Sequence, residues 1–127
     1  MKKLMLFTLF VLFISCSDND DNSIQDNQIQ IRVSNNSQYN YENVIIHTTS
    51  GEIAYNNIAS NQVSNYNTFS VIDSNSFVEF TINGNNFSNT FYNDETTNLS
   101  NGLYTLRITA NGTATEVDDI ALELLTD

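Results

Sequence analysis

The chain has one cysteine, one histidine, no tryptophan and no proline, and only 4 lysines and arginines against 15 acids in 127 residues. One cysteine closes no intramolecular disulfide, so packing and the backbone ladder alone must hold the fold. One histidine leaves no nitrogen partner for a zinc site, and no second feature points to a nucleophile held against a base. Scarcity of basic residues excludes nucleic acid as a partner, because such binding rests on Lys and Arg neutralising phosphates. Anionic lipid headgroups are excluded on the same ground. Without tryptophan the most potent stacking platform for a sugar or peptide is missing. Long apolar runs are missing as well: the longest, Leu4 to Ile14, would span roughly 16 Å as a helix, about half of a bilayer core. The length leaves room for one domain and no second.

What is present begins with an address. Met1-Lys2-Lys3, the apolar run and then Ser15 before Cys16 form a basic start, a short apolar centre and a small residue, the layout of an export signal peptide. The stretch Phe13-Ile14-Ser15-Cys16 resembles the lipobox of bacterial lipoproteins, with Phe13 standing where Leu is commoner. The resemblance implies that residues 1–15 are removed and that Cys16 is acylated and anchors the mature chain. Two or more acyl chains give stable attachment where one is marginal. Behind it, Ser17-Asp18-Asn19-Asp20-Asp21-Asn22-Ser23 has no apolar surface to offset its ordering entropy, and residues 16–26 read as an acidic tether. Such a cluster behind the cysteine resembles the surface-export signal of Bacteroidota lipoproteins, and it equally suits a soluble linker. With Lys2 and Lys3 gone, Arg32 and Arg107 face the same 15 acids, a formal balance of −13.

Residues 27–127 carry the fold signals. All four glycines lie between apolar runs, as Ser50-Gly51, Asn83-Gly84, Asn101-Gly102 and Asn111-Gly112, and Asn-Gly is the strongest short-range hairpin signal. Between them the period is two: Ile29, Ile31 and Val33; Val78, Phe80 and Ile82; Tyr104, Leu106 and Ile108 each line one face of a strand. The 21 asparagines are scattered through this alternation and read as turn and surface residues. Strands are expected at 27–34, 41–49, 52–59, 62–71, 76–82, 86–92, 103–110 and 114–125. Val44-Ile45-Ile46 suggests a central, doubly covered strand, and Val117 to Leu125 also admits a helical spacing. Seven or eight short strands predict an all-β fold, an antiparallel two-sheet sandwich, immunoglobulin-like or transthyretin-like, of Greek-key type, the alternative being a small barrel.

Tyr39-Asn40-Tyr41-Glu42-Asn43-Val44, Ser50-Gly51-Glu52 and Val63-Ser64-Asn65-Tyr66-Asn67-Thr68-Phe69 resemble recurring blocks of small Bacteroidota outer-envelope lipoproteins. That resemblance implies an outer-membrane address and brings no activity with it. His47 reads as a partly exposed strand residue. Asp94-Glu95 and Asp118-Asp119 are the acid pairs nearest to a calcium site, yet no spaced Asp-x-Asp-x-Asp-Gly loop surrounds them, and no metal or other cofactor is expected. Tyr39, Tyr41, Tyr66 and Tyr92 are the candidate ligand contacts, since Tyr beside Asn combines apolar area with a polar handle; Tyr55, Phe69, Phe77 and Phe91 add to the same surplus of rings. The sequence thus predicts a non-enzymatic, lipid-anchored module with a structural or protein-interaction role, the alternative being a glycan- or peptide-binding accessory. Its partners are the membrane, through acyl chains on Cys16, and an envelope protein or glycan.

Overall fold

The structure, a computed structural model, describes residues 27–127, and the leader, Cys16 and the acidic cluster lie outside them. Eight strands form: β1 (Ile29–Asn36), β2 (Tyr41–Thr48), β3 (Gly51–Ile58), β4 (Asn67–Phe69), β5 (Phe77–Ile82), β6 (Asn85–Thr90), β7 (Gly102–Ala110) and β8 (Ile120–Thr126). They make two four-stranded sheets, of order β4-β1-β7-β8 and β3-β2-β5-β6, arranged as the sandwich that the alternation predicts. An immunoglobulin sandwich keeps its first two strands in one sheet. Here β1 and β2 lie in opposite sheets, which leaves the transthyretin-like arrangement of the two expected.

The period of two does what it promises. The nine residues named from the alternation in β1, β5 and β7 are all buried, and each such side chain removed from water stabilises the fold by about 1.5–3 kcal/mol. Asn35 continues the inward face of β1 at 1% exposure, and its burial is tolerated because every polar atom has a partner. Its Nδ2 donates to the carbonyls of Tyr39 at 2.7 Å and Ile58 at 2.9 Å, and its Oδ1 accepts from the Ser37 hydroxyl at 2.7 Å. This network ties the β1–β2 connection to the end of β3.

Four expectations are corrected. Pairing is not antiparallel throughout: β1 and β7 run parallel, in register from Ile29 opposite Gly102 to Asn36 opposite Thr109. The expected strand 62–71 shrinks to Asn67–Phe69, with Val63 making an isolated bridge to Ser34. Its pairing is interrupted by a side chain, since the Val33 N–H donates to Ser64 Oγ at 2.8 Å. Residues 114–125 are neither one strand nor one helix; a 3₁₀ turn at Val117–Asp119 precedes β8, held by a reciprocal cap between Glu116 and Asp119. Finally, Asn101-Gly102 enters β7 from a long connection and Asn111-Gly112 opens a loop over 111–119, so neither is a two-residue hairpin turn. Asn83-Gly84 is one, with φ of 48° and 84° and Ile82 opposite Asn85, as a type I′ turn demands. The strand holding Val44-Ile45-Ile46 is central, between β3 and β5, but Ile45 on its outer face stays half-buried.

The chain enters at one end of the sandwich. Gly102 N–H donates to the Gln28 carbonyl at 2.9 Å and Asp127 N–H to the Leu103 carbonyl at 2.9 Å. That end carries the connections 49–50, 70–76 and 91–101; the opposite end carries 37–40, 59–66, 83–84 and 111–119. Val63 and Val117, the large apolar side chains that stay exposed among the described residues, at 49% and 58%, belong to connections at this far end.

Candidate functional site

The structure does not gather the four candidate tyrosines. Tyr41 is fully buried and its hydroxyl donates to the Ile108 carbonyl at 2.8 Å. It is a core residue bridging the sheets, which corrects its placement among exposed ligand contacts. Tyr55 does the same to the Ile31 carbonyl at 2.6 Å, and burial pushes both phenols up from their ordinary value. Tyr39 is half-buried at the far end and donates to the Gly112 carbonyl. Tyr92 is half-buried in the connection 91–101 and donates to the Thr97 carbonyl at 3.1 Å. Phe69 and Phe91 are core, and Phe77 is half-buried on an outer face.

Tyr66 belongs to a polar cluster on the outer face of β4-β1-β7-β8. Register places Arg32 opposite Thr105; Arg32 Nε donates to Thr105 Oγ1 at 2.9 Å, and Thr105 donates to Asp127 at 2.7 Å. The Tyr66 hydroxyl donates to Asp127 Oδ2 at 2.6 Å, and the Arg32 guanidinium lies 5.0 Å from the Tyr66 ring centroid, a cation–π contact. Burial and the neighbouring Asp127 carboxylate push the Tyr66 phenol up. One pair away, Arg107 and Glu123 bond across β7 and β8. Both arginines of the described residues are therefore matched to acids on one face. No sequence spacing announces this, because Arg32 and Thr105 are 73 positions apart.

The outer face of β3-β2-β5-β6 holds the second cluster. His47 stacks on Phe77 with centroids 4.5 Å apart and planes 12° from parallel. Its Nε2 lies 2.8 Å from Glu79 Oε1 and its Nδ1 3.1 Å from Glu52 Oε2. Neutral imidazole carries one N–H, so it donates to both carboxylates only as imidazolium. Period two alone puts 77 and 79 on one face, and the β2–β5 pairing sets His47 opposite Phe77. Beside this cluster a shallow open trough of about 280 Å³ is lined by Asn43, Ile45, Glu79, Thr81, Asn86 and Ser88, with Phe80 and Phe87. It lies where the β2–β5 register shifts between Glu42 and Ile45.

One member of each acid pair is used in loop construction. Asp94 accepts from the Thr96 and Thr97 hydroxyls, each at 2.7 Å, and from their backbone N–H groups. These donors, the Thr96 hydroxyl foremost, hold its carboxyl well below the usual range. Asp119 Oδ2 accepts the N–H groups of Thr115 and Glu116 at 3.1 and 3.2 Å. No group of three or more His, Cys, Asp or Glu placed to hold a metal ion occurs among the described residues.

No protein-family model matches the chain, and no curated protein matches it. Among solved structures it is similar to the NMR structure of a protein from Eubacterium rectale, with a TM-score of 0.55 and 18% identity, covering 80% of this chain and 92% of that one. Likeness at that identity concerns the fold.

Proposed function

We propose that the chain is a non-enzymatic β-sandwich module of the outer bacterial envelope, anchored by acyl chains on Cys16 and acting through contact with another envelope protein. The observation that carries the reading is the employment of the reactive side chains in the framework itself. His47 is held between Glu52 and Glu79 and against Phe77, Asp94 is ringed by Thr96 and Thr97, Asp119 caps a turn, and Asp127 joins Tyr66 to Thr105. A surface built this way presents shape and charge rather than a poised nucleophile or base. The entry point supports display: twelve residues separate Cys16 from Ile29, reaching at most about 40 Å when extended, and they meet the sandwich at one end. The loops at 37–40, 59–66, 83–84 and 111–119 are then the ones turned outward.

The test is photo-crosslinking in intact cells from single sites at Asn61, Ser88, Val117 and Glu123. A discrete protein adduct from at least one site is expected. Absence of an adduct from all four, with the domain fully protected from external protease, overturns the reading. A second reading is favoured by the trough, whose amide and hydroxyl lining over Ile45 suits sugar hydroxyls. In that case a glycan array shows binding that Asn43→Ala together with Asn86→Ala removes.

A further inference from the structure

We propose that the free edge of β8 is a docking edge, and that its occupant is an extended segment of another protein with apolar residues at alternate positions and Lys or Arg at the end that meets Glu116, Asp118 and Asp119. The inference deepens the contact reading above and rests on it.

Among the described residues β8 pairs with β7 alone. The Asp127 N–H donates to Leu103 and the Asp119 carbonyl accepts from Asn111, at 2.9 and 2.8 Å, so the odd-numbered backbone groups of β8 face β7. The even-numbered ones face away: the N–H and C=O of Leu122, Leu124 and Thr126 form a row ready for a further strand, while the Ile120 N–H is satisfied by Val117. Proteins guard such edges with short strands, bulges, Lys or Pro. The other edges of the described sheets fit that pattern or lack apolar cover. β4 has 3 residues, β3 pairs with β2 across two register shifts, and β6 reads Asn-Asn-Phe-Ser-Asn-Thr. β8 has 7 residues, an unbroken register with β7, no Lys or Pro, and four half-buried apolar side chains at Ile120, Leu122, Leu124 and Leu125. Backbone pairing supplies affinity in strand addition, and side-chain cover at alternate positions supplies selectivity.

Charge decides the occupant. Glu116, Asp118 and Asp119 stand before β8, whereas the central Glu123 is matched by Arg107 and Asp127, after the strand, by Arg32 at 3.6 Å. A second copy pairing antiparallel brings no free base to the Glu116, Asp118 and Asp119 end of its partner, since Arg32 and Arg107, the bases of the described residues, are held by Asp127 and Glu123. A parallel copy sets Glu116, Asp118 and Asp119 against their own counterparts. With 15 acids against 4 bases in each chain, self-pairing is repelled. A segment with a basic end for Glu116, Asp118 and Asp119 and an apolar stretch beyond it matches the edge along its length.

The test uses the full-length chain and two synthetic nonapeptides of alternating Thr and Val, one with Lys at both ends and one with Glu, followed by amide hydrogen exchange in two-dimensional NMR. The Lys-ended peptide is expected to slow exchange at Leu122, Leu124 and Thr126 and to bind roughly tenfold more tightly than the Glu-ended one. Leu122→Pro and, separately, Thr126→Pro remove an outward N–H without touching the β7 ladder, and each is expected to abolish the effect. Thr126→Pro, at an exposed terminal position, keeps the test open if Leu122→Pro does not fold. Equal binding of both peptides, slowing at β3 or β6 in place of β8, or a dimer of the unliganded chain that protects the same amides would overturn the proposal. Crosslinked adducts from Val117 together with a silent β8 edge would reject this inference while leaving the contact reading intact.

Discussion

Tyr41 in β2 and Tyr55 in β3 each reach across the core to a carbonyl of the opposite sheet, on Ile108 and Ile31. Replacing either by Phe keeps the ring and deletes the donor, at an expected cost of about 1–2 kcal/mol, measured by urea denaturation. Burial raises both phenols above the ordinary tyrosine value of about 10 that an unfolded chain shows. A raised folded value means that the unfolded state loses the proton first, so stability is fully present below about pH 10 and falls as the pH climbs beyond it. Tyrosinate absorbance should therefore appear together with unfolding, and the double variant Tyr41→Phe, Tyr55→Phe should show a shallower alkaline loss. At this scale the asparagine-rich composition is legible for a physical reason. Among the described residues, four of the five non-glycine residues with positive φ are Asn43, Asn56, Asn61 and Asn83, and Asn tolerates the left-handed region better than most other L-residues. The tyrosines were less legible, because period two says that Tyr41 and Tyr55 alternate but not which face meets the other sheet.

Among elements, the Asn83-Gly84 hairpin is legible in the sequence, whereas Asn101-Gly102 and Asn111-Gly112 carry the same signal without a tight hairpin and the long-range pairings carry none. Asn83-Gly84 places β5 and β6 in register with no intervening residue beyond the turn, and a Cβ on Gly84 meets nothing within 4 Å. The cost of Gly84→Ala is therefore conformational, about 1 kcal/mol, with faster amide exchange confined to β6. The parallel β1–β7 pair left no local mark, since parallel strands are joined by a crossover rather than a turn. The truncation of 62–71 also escaped, because it depends on Ser64 Oγ occupying the Val33 N–H at 2.8 Å, a contact 31 positions apart. Val33 is fully buried, so Ser64→Ala strands that donor and should destabilise the domain by about 1–3 kcal/mol, read as a lowered urea midpoint with an unchanged slope. The His47, Phe77 and Glu79 cluster was half legible: alternation places 77 and 79 together, whereas the partner strand that supplies His47 is known only from pairing.

For the molecule as a whole, the sandwich was read from the strand spacing and turn punctuation, and its strand order separates the two sandwich types that the sequence left open. The polar clusters on the two outer faces carry sequence separations from 5 to 73 positions, which explains why composition foretold abundant acids without foretelling which of them are matched. The proposal ties this domain to the outer membrane through one thiol, and the direct measurement is metabolic labelling of native cells with a clickable fatty acid. Label on the wild-type chain that disappears in Cys16→Ser is the predicted result. A wild-type chain that takes up no label, in cells whose other lipoproteins do, contradicts the account.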